Sequence, residues 1–263
     1  MTRDELRRRL EFYRDLRIET LYRQPVSEAV AAQEQAQAPA AAALSQDTPE
    51  PMPEPPAKPP ILPGFELPKL TPDDRSLLQI IEDIGDCRRC RLHEGRNKIV
   101  FGSGDEQAKL VFVGEGPGQD EDRQGLPFVG RAGQLLTQMI EGTAGKEGIP
   151  LKRPDVYICN VVKCRPPDNR TPEPDEMEIC GQFLARQLSV IRPKAICALG
   201  ATAAKALLGR KEGVTKMRGN WFKWNDIPVM VTYHPSYLLR PYNQNAKRES
   251  WEDLKKVLHY VYD

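Results

Sequence analysis

Four short apolar runs mark the chain beyond residue 109: LVFV at 110–113, VYICNVV at 156–162, AICAL at 195–199 and VMVT at 229–232. Each has the length of a strand rather than a helix and is rich in β-branched or aromatic residues. Around and between them, apolar residues recur at helical spacing over 76–84, 133–141, 174–191, 201–208 and 250–262. Strands alternating with helices predict an α/β domain, a three-layer αβα stack around a central, mainly parallel, four-stranded sheet. The runs are continuous rather than alternating, so both faces of the sheet should be covered. In such sheets ligands gather at the carboxyl ends of the strands. Three polar segments fall there: the loop that opens at Gly114, Asn160 near the end of the second run, and HPSYLLR at 234–240.

The front of the chain follows another pattern. Leu6, Leu10, Tyr13, Leu16 and Leu21 recur among arginines, and Thr2 with Glu5 has capping-box spacing, which predicts an amphipathic helix within 1–23. Over 24–70 the composition turns to Pro, Ala, Gln and Glu, as in PEPMPEPPAKPP. Such a stretch buries too little apolar area to offset chain entropy and is expected to be a disordered linker. The globular domain is bounded at 71–263. The front helix either packs on that domain or serves as a handle for a partner protein.

Charge adds little. With 38 basic and 37 acidic residues, no global basic field advertises nucleic acid, although an average conceals local patches. No apolar run approaches the roughly 20 residues that span a bilayer, and the start lacks a signal-peptide core. A cytoplasmic protein without membrane contact is expected, and in that reducing compartment the six cysteines read as ligands, core residues or reactive thiols rather than disulfides.

Cys87 and Cys90 form a C-x-x-C, Cys164 follows much later, and Cys180 comes sixteen residues after that. Two close and two distant thiolates suit a tetrahedral zinc or an iron–sulfur cluster, and a C-x-x-C alone also suits redox chemistry. Cys159 and Cys197 fall inside strands and read as core. The loop GEGPGQDEDRQGLPFVGRAG, 114–133, suggests a phosphate cradle by its glycines. It lacks a Gly-Lys-Ser/Thr ending, does not fit the dinucleotide fingerprint, and its carboxylates would repel phosphate.

Taken together, GEGPGQDEDRQGLPFVGRAGQLL, NVVKCRPPDNRTP, ALGATAAKALLG and HPSYLLR resemble the family 4 uracil-DNA glycosylases, in the expected order over roughly 76–258. The resemblance implies removal of uracil from single- or double-stranded DNA by a monomeric enzyme. It also implies a [4Fe-4S] cluster held by Cys87, Cys90, Cys164 and Cys180; the front helix lies outside the resemblance, and a replication or repair protein is a candidate partner for it.

A glycosylase takes its base out of the stack and reads it in a tight pocket. The resemblance puts the pocket backbone at Gly114, Gly116 and Gly118. Phe128 is the stacking platform, and Asn160 is the planar amide that matches uracil N3–H and O4. It points to Glu121 to fill the space beside C5. His234 is the candidate donor to uracil O2, with Ser236 beside it, whereas His93 and His259 lie outside any matching motif. Better-known glycosylase families carry an aspartate where this chain has Gly116, so Glu115 and Glu121 are the candidate water-activating carboxylates and Asn169 a candidate to position the water. Asp120 and Asp122 read as solvated loop or helix-end charges. Tyr237, Leu238 and Leu239 read as a wedge for the gap in the duplex, and Lys163, Arg165, Arg170 and Arg240 as phosphate contacts. Two other classes remain open: a protein that captures uracil-DNA without turnover, and a recruitment module with weak excision. The capture reading requires an extra basic, histidine-containing loop after the first motif, and DEDRQGLPFVGRAG has none.

Overall fold

All four apolar runs form strands. A computed structural model describes residues 76–263; the helix expected within 1–23 and the linker expected over 24–70 lie outside the described residues. In chain order the elements are α1 (Leu77–Ile84), β1 (Ser103–Gly104), β2 (Leu110–Gly114), α2 (Gln119–Gln124), α3 (Arg131–Lys146), β3 (Tyr157–Asn160), α4 (Pro174–Ile191), β4 (Ala195–Leu199), α5 (Ala201–Leu208), α6 (Val214–Met217), β5 (Trp221–Trp224), β6 (Ile227–Thr232), α7 (Pro235–Leu238) and α8 (Gln244–Tyr262).

The sheet runs β1-β3-β2-β4-β6-β5. Its inner four strands are parallel, as the apolar runs predict. The expected count of four is corrected to six, because β1 and β5 add short antiparallel edges to β3 and β6. Neither edge carries a continuous apolar run. β1 is two residues long, and β5 alternates exposed with half-buried positions.

Alternate strand residues feed two cores. Val111, Val113, Cys159, Ile196, Ala198, Val229 and Val231 pack with α1, α4 and α5 on one face. Leu110, Phe112, Ile158, Cys197, Leu199 and Met230 pack with α3 and α8 on the other. This is the αβα stack, and cover on both faces explains why the strands show no polar alternation. Among the described residues, no helix is long and apolar enough to cross a membrane.

Helix ends follow local chemistry. Pro174 opens α4, the Glu176 carboxylate accepts from the Glu173 N–H at 2.8 Å, and Arg192 in the left-handed region closes it ahead of Pro193. Helix α3 begins before and ends beyond the expected 133–141, and Gly133 lies inside its first turn. A Cβ there would run into the Phe128 carbonyl, so glycine lets the first turn of α3 press on the chain that carries Phe128. Helix α8 starts at Gln244 rather than 250, its polar opening turns masking the buried face of Ala246 and Ser250.

The parallel register aligns Gly114 with Asn160 and Leu199 with Thr232 at one edge of the sheet. From β2 the chain crosses to β3 on one side and then returns to β4 on the other, which makes the β2–β4 boundary a topological switch point.

Candidate active site

A cavity of about 470 Å³ opens at that edge. Of the pocket residues expected from sequence, Glu115, Gly116, Gly118, Glu121, Phe128, Asn160, Asn169, His234 and Ser236 line it. Gly114 lies directly behind them. A Cβ on Gly114 would strike both the Asn160 Oδ1 and the Phe128 ring, so its bare backbone is what allows those two side chains to converge.

Asn160 closes β3 and is 1% exposed. Its Oδ1 is buried without a hydrogen-bond partner among the described residues. A buried, unpaired carbonyl oxygen is costly unless a ligand satisfies it. Phe128 adopts φ 52°, rare for a bulky residue and a strain of the kind found at functional sites. Its buried ring stands 5.6 Å from the His234 ring, the two planes tilted by 37°. The strained loop is held by Glu121, whose Oε1 accepts from the Val129 and Gly130 N–H groups, each at 2.8 Å.

His234 leaves β6 as the N-cap of α7. The Ser236 backbone N–H donates to its Nδ1 at 3.2 Å, and the Ser236 hydroxyl lies 2.8 Å away. Nδ1 must therefore be the acceptor, which leaves the proton on Nε2. Burial lowers the His234 pKa to about 4, against a weaker opposing pull from the Glu121 charge. At neutral pH the ring is a neutral Nε2–H donor. Its position is secured one strand residue upstream of Tyr233, where the Thr232 hydroxyl donates to buried Asp253 at 2.8 Å.

This titration has a consequence. An unfolded histidine titrates near 6.5 and the folded one near 4, so the unfolded chain binds more protons between those values. Stability is expected to fall as pH drops from about 6.5 to about 4, and His234→Asn should flatten that slope in urea melts taken across the range. An unchanged slope would place the buried neutral ring elsewhere.

Glu115 accepts a hydrogen bond from the Thr202 hydroxyl at the start of α5. Asn169, at φ 54°, accepts from Arg165 Nε at 2.8 Å. Thr202 and Gly200 line the cavity and were missed by sequence reasoning. The turn after β4 is a fourth carboxyl-end loop, and its short GAT sequence lacks the polar density of the other three.

Several expected surface roles are corrected. Lys163 is fully buried and donates to the Asn160 carbonyl at 2.8 Å and to Gln187 Oε1 at 2.6 Å, so it is no phosphate contact. Asp122 is fully buried and accepts from the Asn97 N–H at 2.8 Å, tying α2 to the preceding loop rather than facing solvent. Leu238 is fully buried, which leaves Tyr237 and the half-buried Leu239 as apolar tips. Arg170 lines the cavity while paired to Glu176 at 2.7 Å, whereas Arg240 is exposed near the Tyr242 hydroxyl.

The four candidate ligand cysteines join one face of the core. Cys164 and Cys180 are buried in that core cluster, with Cys87 and Cys90 partly buried against it. The Cys90 thiol lies within electrostatic reach of Cys87 and Cys164, and Cys180 within reach of Cys164 and Cys90. Donors point at the sulfurs: Arg96 Nη1 at 3.5 Å from Cys164 and the Lys163 N–H at 3.2 Å from Cys180. Burial raises the Cys90 pKa to about 11 and that of Cys180 to about 12, so ionisation there calls for a cation among them. A gathered set of thiols with N–H groups directed at sulfur fits a thiolate-bound metal group. Among the described residues, no three His, Cys, Asp or Glu side chains close around one point as a single ion requires. Cys159 and Cys197 are fully buried within β3 and β4.

Fold and pocket together define a three-layer αβα protein with a partly apolar, base-sized cavity at the carboxyl ends of its strands. The model of the uracil DNA glycosylase superfamily matches residues 101–255. The chain is 46% identical over 188 residues to the type-4 uracil-DNA glycosylase of Thermotoga maritima, covering 70% of this chain and 95% of that protein. It is 44% identical over 190 residues to the type-4 enzyme of Sulfurisphaera tokodaii, covering 69% and 83%. With the type-4 enzyme of Archaeoglobus fulgidus it shares 43% over 190 residues, covering 69% and 92%. The chain belongs to the uracil-DNA glycosylase superfamily and, within it, to the type-4 uracil-DNA glycosylases.

Proposed function

We propose that the protein hydrolyses the N-glycosidic bond of deoxyuridine flipped out of DNA, releasing uracil and leaving an abasic site for base excision repair. The observation that carries this reading is the unpaired, buried Oδ1 of Asn160 at the base of the cavity. That oxygen accepts uracil N3–H while the amide nitrogen donates to O4. Cytosine offers an acceptor and an amino group at those positions and is refused. The base stacks on Phe128, a contact worth about 1–3 kcal/mol.

Cleavage of the C1′–N1 bond sends the electron pair to uracil, where charge collects at O2, and leaves positive charge on the sugar. The neutral His234 donates from Nε2 to O2 without giving up its proton, and a preorganised donor of this kind contributes about 100- to 1,000-fold in rate. Water adds at C1′ and passes its proton to Glu115, which Thr202 holds by one oxygen. Glu121 serves by fixing the Phe128 loop and closing the space beside C5. Asn169, which lines the cavity, orients the water in this reading.

Cys87, Cys90, Cys164 and Cys180 hold a [4Fe-4S] cluster in this reading. The gathering of the four cysteines on one side of the sheet and the N–H groups directed at two of the sulfurs support it. When bound, the cluster supplies iron–thiolate bonds that tie the Cys164–Cys180 segment to the C-x-x-C turn.

An end-labelled single-stranded oligonucleotide with one deoxyuridine, treated with the protein and then hot alkali, provides the test. Alkali-dependent cleavage at the uracil is expected. Intact DNA after incubation with folded, iron-loaded protein would defeat the reading, and a band retarded through denaturation would indicate covalent capture instead.

A further inference from the structure

We infer that Lys163 is a positioning residue for uracil recognition, locking the peptide that carries Asn160 to the helix that carries Cys180. This inference rests on the excision reading above and names a residue outside the pocket lining. The Val161 N–H turns toward β2, donating to the Gly114 carbonyl at 3.0 Å. Backbone groups alternate sides along a strand, so the Asn160 carbonyl faces the opposite edge. There β1 no longer pairs, since its first residue, Ser103, lies opposite Ile158. The Asn160 carbonyl is thus a strand-end acceptor without a ladder partner, and the Lys163 ammonium fills that place at 2.8 Å.

The same nitrogen donates to Gln187 Oε1 at 2.6 Å. Gln187 is itself fixed by bonds from its amide nitrogen to the Phe101 carbonyl and the Tyr157 hydroxyl, both at 3.0 Å. Gln187 and Cys180 stand on α4, and the Lys163 N–H donates to the Cys180 sulfur. Lys163 is fully buried, and among the described residues no carboxylate pairs with it. A core that keeps a lysine for two neutral acceptors, where an apolar side chain would pack at lower desolvation cost, is using its donors for geometry. The geometry in question is the plane of the Asn160 amide, which must meet two atoms of uracil at once.

A double-mutant cycle decides the matter, with excision kinetics, iron content and binding of a non-cleavable deoxyuridine analogue in an oligonucleotide read by fluorescence anisotropy. Lys163→Met is expected to lower kcat/KM by about 10- to 100-fold and to weaken analogue binding similarly, the scale of a lost hydrogen bond to a charged group. Iron content should stay at the parent level. In the Asn160→Ala background the same change should cost less than about threefold, since coupled residues are non-additive. Equal losses in both backgrounds, an unchanged kcat/KM, or loss of iron along with activity would each overturn the inference. If Lys163→Met does not fold, Lys163→Arg replaces it: lowered kcat/KM with iron retained supports the role, and parental kcat/KM refutes it. A parent protein that does not excise uracil would instead refute the proposed function, with the anisotropy cycle still reporting whether Lys163 acts through Asn160.

Discussion

Replacing Asn160 with alanine is expected to lower kcat/KM for deoxyuridine about a thousandfold, the effect of removing a charge-stabilising donor from a closed site, while the domain stays folded and as stable as before. The two halves of that result come from one side-chain amide, whose nitrogen is the donor to uracil O4. Oδ1 is buried and unpaired when no base is present, so its removal relieves an unsatisfied acceptor and opens only a small cavity. A strand-end asparagine kept for packing would behave in the opposite way, losing stability and sparing turnover. Melting temperature and kcat/KM measured on the same preparation separate the cases. A fall in stability of several kcal/mol with activity largely retained would remove Asn160 from the recognition site.

The inner sheet was legible because its strands are buried on both faces, and burial leaves continuous apolar runs that a single sequence displays. β1 and β5 were not, because an edge strand answers to its one neighbour and to solvent, and Ser103–Gly104 carries no apolar signal at all. Helix α3 extends past both ends of the expected 133–141, and nothing in the sequence signals why Gly133 stands in its first turn. Its role there depends on Phe128, which meets it only after folding. In the pocket, Gly116, Asn160 and His234 were reached through the resemblance that their motifs carry, since strand-end position alone does not single them out, and all three line the cavity. Charge was the least reliable guide. Lys163 and Asp122 resemble their exposed neighbours in sequence, yet both are fully buried, since what decides their fate is a set of partners contributed by distant segments. Thr202 went unnoticed for the complementary reason: its hydroxyl gains a function only when β2 and β4 lie side by side and bring Glu115 to it.

Changing Cys180 to alanine is expected to strip the iron, abolish the broad absorbance near ~400 nm that thiolate-bound iron gives, and lower the melting temperature by roughly 10 °C. For a domain of this size each kcal/mol moves the midpoint by about 2–4 °C, so the shift corresponds to about 3–5 kcal/mol, well beyond what one buried sulfur contributes by packing alone. Cys197→Ala is the matched control. Its thiol is as deeply buried, and burial pushes its pKa up in the same way, but it sits within β4 rather than among the donors that surround Cys180. It should keep its iron and melt within a few degrees of the parent, with only the packing loss of a small core substitution. Equal shifts in the two variants would mean that Cys180 acts as an ordinary core residue. A large shift confined to Cys180, with iron lost in step, means that the bonds at that sulfur hold the Cys164–Cys180 segment in place, and with it Asn169 and Arg170 at the rim of the uracil pocket.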